Sequence, residues 1–270
     1  MRLVVLSFGG LALFLWPFAG RGLPADAPAF ALGLGAIGAL MLVEYGTRRL
    51  DARGLALLAA IAAIDAALRL AFVTGIGGFS PIFFLILCSG YVFGPAFGFE
   101  AGAVALLVSA LATGGVGPWL PYQLFAAGWV GVAAGLGGGR LGGRLVGPPR
   151  RRDLALLALV GFVAGFGYGA LMDIWNWTFF AASPDLGWLP GAPLGETVQR
   201  FSHFYLVTSL AYDSFRAVGN ALLVVVLGGP VLAALARLRV RLHFEIVPEA
   251  SGPEGPGSED SGLGMPLSAR

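Results

Sequence analysis

Residues 114–123 read Gly-Gly-Val-Gly-Pro-Trp-Leu-Pro-Tyr-Gln, with a long apolar run on either side. Three glycines and two prolines cannot carry a helix onward, so one apolar helix ends here and a second begins at once. Trp119 and Tyr122 bear the amphipathic rings that collect at a membrane–water boundary. Gln123 then sends an amide into the start of the following apolar segment. Phe93 to Gly138 therefore reads as two membrane helices joined by a turn that carries more chemistry than a turn requires.

Outward from this stretch the pattern repeats. Apolar segments cover 3–20, 29–46, 54–74, 80–94, 97–113, 119–138, 154–180 and 204–236. A bilayer crossing needs about 20 helical residues, so eight spans are expected, with 80–94 the short one. Composition agrees. The chain is 57% hydrophobic and 12% charged, against roughly 25% charged in soluble domains, and its mean hydropathy is +0.82. The single cysteine, Cys88, excludes an intramolecular disulfide. All 17 basic residues are arginine and most of them gather between the apolar segments; a formal charge of +2 without a basic face argues against a nucleic-acid partner.

Arginine also sets the expected orientation. With the N-terminus inside, Arg2, Arg48, Arg49, Arg53, Arg140, Arg144, Arg150, Arg151, Arg152, Arg237, Arg239 and Arg241 are cytoplasmic, and only Arg21 and Arg200 are outside. That bias places both termini in the cytoplasm of a multi-pass cell-membrane protein. Arg2, an apolar core and Ala25-x-Ala27 also fit a cleavable signal peptide; a retained first span is the favoured reading, since multi-span proteins seldom need one. Residues 247–270, rich in Pro, Gly, Ser, Glu and Asp, are expected to form a disordered tail.

Depth along each span locates the candidate site. At ~1.5 Å per residue, Arg69 falls in the outer third of the third span. Asp173 and Asn176, flanked by Trp175 and Trp177, reach the outer boundary of the seventh, and Asp213 and Arg216 lie near the outer end of the eighth. Gln123 opens the sixth from the same side. Four spans thus bring polar groups to one level, and the expected site is an outward-facing cavity lined by Arg69, Gln123, Asp173, Asn176, Asp213 and Arg216, with Trp119, Tyr122, Trp175 and Trp177 offering ring faces. The plainer alternatives are local: Asp213 pairs with Arg216 and Asp65 with Arg69 along single helix faces, and the tryptophans form an ordinary aromatic belt. On the third span, Ala59, Ala63 and Ala67 recur every four residues, the spacing that lets helix backbones approach closely. Asp65 and Arg69 point ~200° away from that ridge, so one face suits a cavity and the other a neighbouring helix, within this chain or in a partner.

The segments VFGPAFGFEAG, SALATGGVGPWLPYQ and AAGWVGVAAG, followed by YGALMDIWNW and SLAYDSFRAVGNA, resemble the substrate-binding (S) component of energy-coupling factor (ECF) transporters, over about residues 40–240. The likeness is strongest to the branch usually assigned to cobalamin uptake. It implies an all-α, polytopic fold: a six-helix vitamin-binding core at 54–241, here preceded by two further transmembrane helices at 1–50. It also implies docking, through small residues matching Ala59, Ala63 and Ala67, on a transmembrane scaffold subunit driven by two cytoplasmic ATPases. The two added helices and the 247–270 tail depart from the family pattern.

Other classes fit less well. The chain has no GxxxxGK[ST] loop, so ATP hydrolysis would fall to another subunit and the ligand would be the transported vitamin rather than a cofactor. A membrane enzyme is disfavoured: there is no GxSxG elbow, the only histidines are His203 and His243, and the acidic residues are too few for a metal cluster. A stand-alone secondary transporter would show an inverted repeat and a coupling-ion site near the midplane. No clear repeat is present, and Asp65 alone lies near that depth.

Overall fold

The computed structural model describes residues 2–15, 18, 35, 38, 52–71, 82–140, 149–179 and 186–242. These form eight α-helices and, among the described residues, no strand: α1 (Arg2–Leu15), α2 (Ala52–Ala71), α3 (Ile82–Phe93), α4 (Pro95–Thr113), α5 (Leu120–Arg140), α6 (Arg151–Phe179), α7 (Leu194–Thr208) and α8 (Leu210–Leu242). The all-α expectation holds. Three helices, α4, α6 and α8, are long and apolar enough to cross a membrane, which is compatible with a membrane location. The second expected span, 29–46, lies outside the described residues apart from Gly35 and Gly38, as do the Ala25-x-Ala27 site and the 247–270 tail.

Local chemistry explains the breaks. Gly94 takes φ 101°, open to glycine at little cost, and Pro95 occupies the first turn of α4, so the apolar run 80–113 becomes two helices. Gly114 closes α4 in the left-handed conformation, its N–H donating to the Ala110 carbonyl. The last expected span, 204–236, is divided at Ser209 into the end of α7 and the long α8. Helix α7 itself, read from the sequence as part of an outer loop, is amphipathic and buries only Phe204.

Helices α3 to α6 run alternately down and up, and α8 returns downward beside α6. At the upper end Tyr122 meets Trp175, with ring centroids 5.3 Å apart, and Asp173 meets Ser209. Helices α4 and α5 approach most closely: a Cβ on Gly131 would overlap the carbonyl of Gly98, the small-residue contact by which membrane helices associate. α8 is apolar on its outside as well. Tyr212, Phe215, Val218, Leu222, Val225 and Val226 are each more than half exposed, a face suited to lipid rather than water.

At the lower end three helices are latched. The Tyr91 hydroxyl on α3 donates to Asp153 Oδ1 (2.9 Å), while Asp153 Oδ2 accepts the backbone N–H of Arg150 (2.7 Å), a capping contact at the start of α6. Arg239 on α8 donates to the Val92 carbonyl (2.7 Å). Replacing Tyr91 by phenylalanine leaves a buried carboxylate oxygen without its donor, and the expected loss is about 1–3 kcal/mol. A thermal unfolding scan of the detergent-solubilised chain checks this; an unchanged midpoint refutes the latch.

Candidate functional site

The upper end of α6 presents two flanks. Asp173 faces α8, where its Oδ1 accepts the hydroxyl of Ser209 (2.8 Å). One turn lower, Gly169 lies against the carboxylate of Asp213, where any side chain would overlap it, and Gly165 packs on Ala217. The α6–α8 seam is thus a ladder with a glycine on α6 at each of two rungs, Asp213 filling the upper rung and Asp173 a turn above it. Asp213 pairs with Arg216 on its own helix, and the Arg216 guanidinium stands over the Tyr168 ring at 5.4 Å, a cation–π contact. Tyr205 reaches down from α7 to hydrogen-bond Asp213. Burial, then that bond to Asp213, push the Tyr205 phenol up to about 12, so it remains a protonated donor throughout the physiological range.

The other flank is aromatic. Trp175, two residues from Asp173 and therefore ~200° around the helix, stacks toward α5, with Tyr122 at 5.3 Å and Trp119 at 6.5 Å. Phe14 of α1 packs edge-on against Tyr122 at 5.0 Å, so the first helix closes this cluster. Trp177 belongs to a third group: its indole N–H donates to the Leu186 carbonyl (2.7 Å) and its ring meets Phe201 of α7 at 5.2 Å. α7 thereby rests on α6 and α8 above the acidic pair.

Of the ten residues expected around one cavity, Asp173, Asp213 and Arg216 come together, and Trp119, Tyr122 and Trp175 come together on the opposite flank. Asn176 is exposed, pointing away from both groups, and Gln123 is half-buried in the first turn of α5. Arg69 sits near the end of α2, within electrostatic reach of Tyr168. An apolar groove of about 420 Å³ between α5 and α6, walled by Trp129, Leu159, Val163, Tyr168 and Leu171, has none of the ten among its lining residues. On α2 the two faces separate: Ala59, Ala63 and Ala67 are exposed, while Asp65 is fully buried.

Three site residues were not singled out from the sequence: Tyr205, Ser209 and Tyr168. Ser209 and Tyr205 precede Asp213 by four and eight residues, the spacing of one helix face inside the expected span 204–236; only charged residues, amides and aromatic rings at the span ends Thr74, Gln123, Asp173 and Asp213 were weighed, so a serine and a tyrosine on that face passed unremarked. Asn220, seven residues past Asp213 on the same face and 1% exposed, is likewise buried with neither amide atom hydrogen-bonded among the described residues.

No protein-family model matches the chain, and no curated protein or solved structure matches it.

Proposed function

We propose that this chain is the solute-capture membrane subunit of an ECF-type importer. It takes up a vitamin or related micronutrient at its upper, outward-facing end and passes it on through a transmembrane scaffold subunit with two ATPases. The observation that carries the reading is the upper end itself: buried charged groups sit at the ends of α6 and α8, two helices long and apolar enough to cross a bilayer, with ring faces from α5 and α6 beside them and an amphipathic helix above. Binding sites combine such apolar walls with a few placed polar groups. The sequence resemblance supplies the ECF assignment, the layout of a six-helix core behind two added helices, the cytoplasmic termini, and cobalamin as the first solute to test. The exposed face of Ala59, Ala63 and Ala67 supports α2 as the docking helix, because small side chains leave room for a second helix against the backbone.

The expected result for Ala63→Trp is loss of ATP-driven uptake in the assembled transporter with ligand binding by the isolated subunit unchanged, measured with a panel of labelled vitamins, cobalamin first. Loss of binding in a folded variant assigns the ridge to internal packing instead. A stand-alone secondary transporter is the second reading, favoured by Asp65, which is fully buried on α2 with neither oxygen hydrogen-bonded among the described residues. Uptake by vesicles containing this chain alone would select it.

A further inference from the structure

We propose that the groove between α5 and α6 holds one acyl chain of an anionic phospholipid whose phosphate rests on Arg152. The groove encloses about 420 Å³ and is walled by Trp129, Leu159, Val163, Tyr168 and Leu171. The Trp129 indole N–H is already spent on the Ser7 hydroxyl (3.1 Å), so this residue offers a guest only its ring. At the rim, Leu159 and Val163 are 59% and 60% exposed, on a helix long and apolar enough to cross a bilayer. An apolar rim of that kind suits lipid tails rather than water. A second helix fits it poorly. Close helix approach needs small residues on the receiving face, as on the Ala59–Ala63–Ala67 ridge, whereas bulky side chains stand here. A flexible chain can follow the space between them.

The charge beneath the groove selects the headgroup. Arg152, Leu156, Leu159 and Val163 follow one another at steps of four, three and four, the spacing of a single helix face. Arg152 therefore lies directly below the groove wall, about 10 Å beyond Leu159. Polar headgroups add about 5–8 Å to each side of the hydrocarbon core, so a chain seated in the groove brings its phosphate near the depth of this guanidinium. Below the groove α5 and α6 close up: a Cβ on Gly137 would meet Val160 at 3.6 Å and Leu156 at 4.0 Å. A chain leaving the groove thus passes outward over Leu156 toward Arg152. Arg152 is exposed, and the adjacent carboxylate is engaged, because Asp153 accepts from Tyr91 and from the Arg150 N–H. The ion pairs among the described residues, Glu196–Arg200 and Asp213–Arg216, both lie at the upper end. Arg150 and Arg151 are exposed beside Arg152, so cations open a 29-residue helix against its dipole, a placement that an anion relieves. Apolar groove and unmatched cations are separate observations, and an anionic phospholipid satisfies both. The inference rests on the membrane location of α6 and is independent of the captured solute.

The full chain, reconstituted in vesicles of phosphatidylcholine and phosphatidylglycerol in equal amounts and re-extracted in mild detergent, is the material for the test. Lipid that stays with it through extensive washing is identified and counted by mass spectrometry. Phosphatidylglycerol at about one molecule per chain is expected, in clear excess over phosphatidylcholine. Arg152→Gln should lower that preference about fivefold, the effect of one arginine at a membrane surface. Gly167→Leu adds a side chain inside the groove at a position with nothing within 4 Å of a Cβ. It should expel the lipid while keeping the wild-type unfolding midpoint in lipid-free detergent. Equal retention of the two lipids, or retention that survives either substitution, would overturn the site. Release of the lipid by inorganic phosphate would also overturn it, assigning the arginines to a soluble anion. A detergent-stable dimer that Gly167→Leu breaks up would give the groove to a second copy of the chain instead.

Discussion

Replacement of Gly131 by valine is expected to cost about 3 kcal/mol or more, at or above the top of the range for overpacked cores. The reason is the identity of the obstructing atoms. A Cβ at Gly131 would overlap the carbonyl carbon and oxygen of Gly98, and Gly90 and Gly98 in turn face the Gly131 carbonyl. Backbone cannot swing aside as a side chain can, so α4 and α5 must separate along their length. The loss would spread to the core they share, where Phe99 packs on Phe125 at 6.1 Å. A midpoint lowered by about 6–12 °C, or failure to recover monodisperse protein, is the expected outcome in detergent. By contrast, Gly167 has nothing within 4 Å of the position a Cβ would take, and Gly167→Ala should leave the midpoint unchanged or slightly raised. Equal effects of the two substitutions would refute the close-approach account.

The helix breaks were legible because their punctuation is chemical. Gly94-Pro95 and Gly114 mark ends that any helix would respect, and α4 begins and ends within two residues of the expected span. Helix α7 was not legible in the same way. Apolar runs were sought as spans, and residues 194–208 mix Glu196, Gln199, Arg200 and His203 with Val198, Phe204 and Leu206, so their regularity is one of facing rather than of content. The same distinction governs the site. Depth along a span follows from counting residues, and it placed Asp173, Trp175, Asp213 and Tyr122 at one end of the bundle. Facing depends on which neighbour each helix meets. The string Asp173-Ile-Trp175 looks like one group on paper, yet a two-residue step turns ~200° around a helix, and its two ends address α8 and α5 respectively. Only the packing of α6 between those helices resolves it. Asp213 and Arg216, three apart, needed no such knowledge, and the local pair expected of them is present.

That pair sets the second large expected effect. Asp213→Ala removes the partner of Arg216, a guanidinium with only 17% of its side chain exposed, and takes from Tyr205 the carboxylate it bonds. Breaking a buried pair from one side typically costs about 3–5 kcal/mol, since the remaining charge stays desolvated and unmatched. Arg216→Met leaves the buried Asp213 carboxylate without its cation, and should also destabilise, although methionine can still lie over Tyr168. The double variant has neither uncompensated charge in the pair, and its loss should fall short of the sum of the singles by about 1–3 kcal/mol. Thermal unfolding of the four proteins in one buffer closes the cycle. Strict additivity would mean that Arg216 and Asp213 are independently satisfied, and would refute the buried pair. A shortfall of that size would show that Asp213 and Arg216 act as one electrostatic unit at the mouth of the α6–α8 seam, each holding the other's charge where water does not reach.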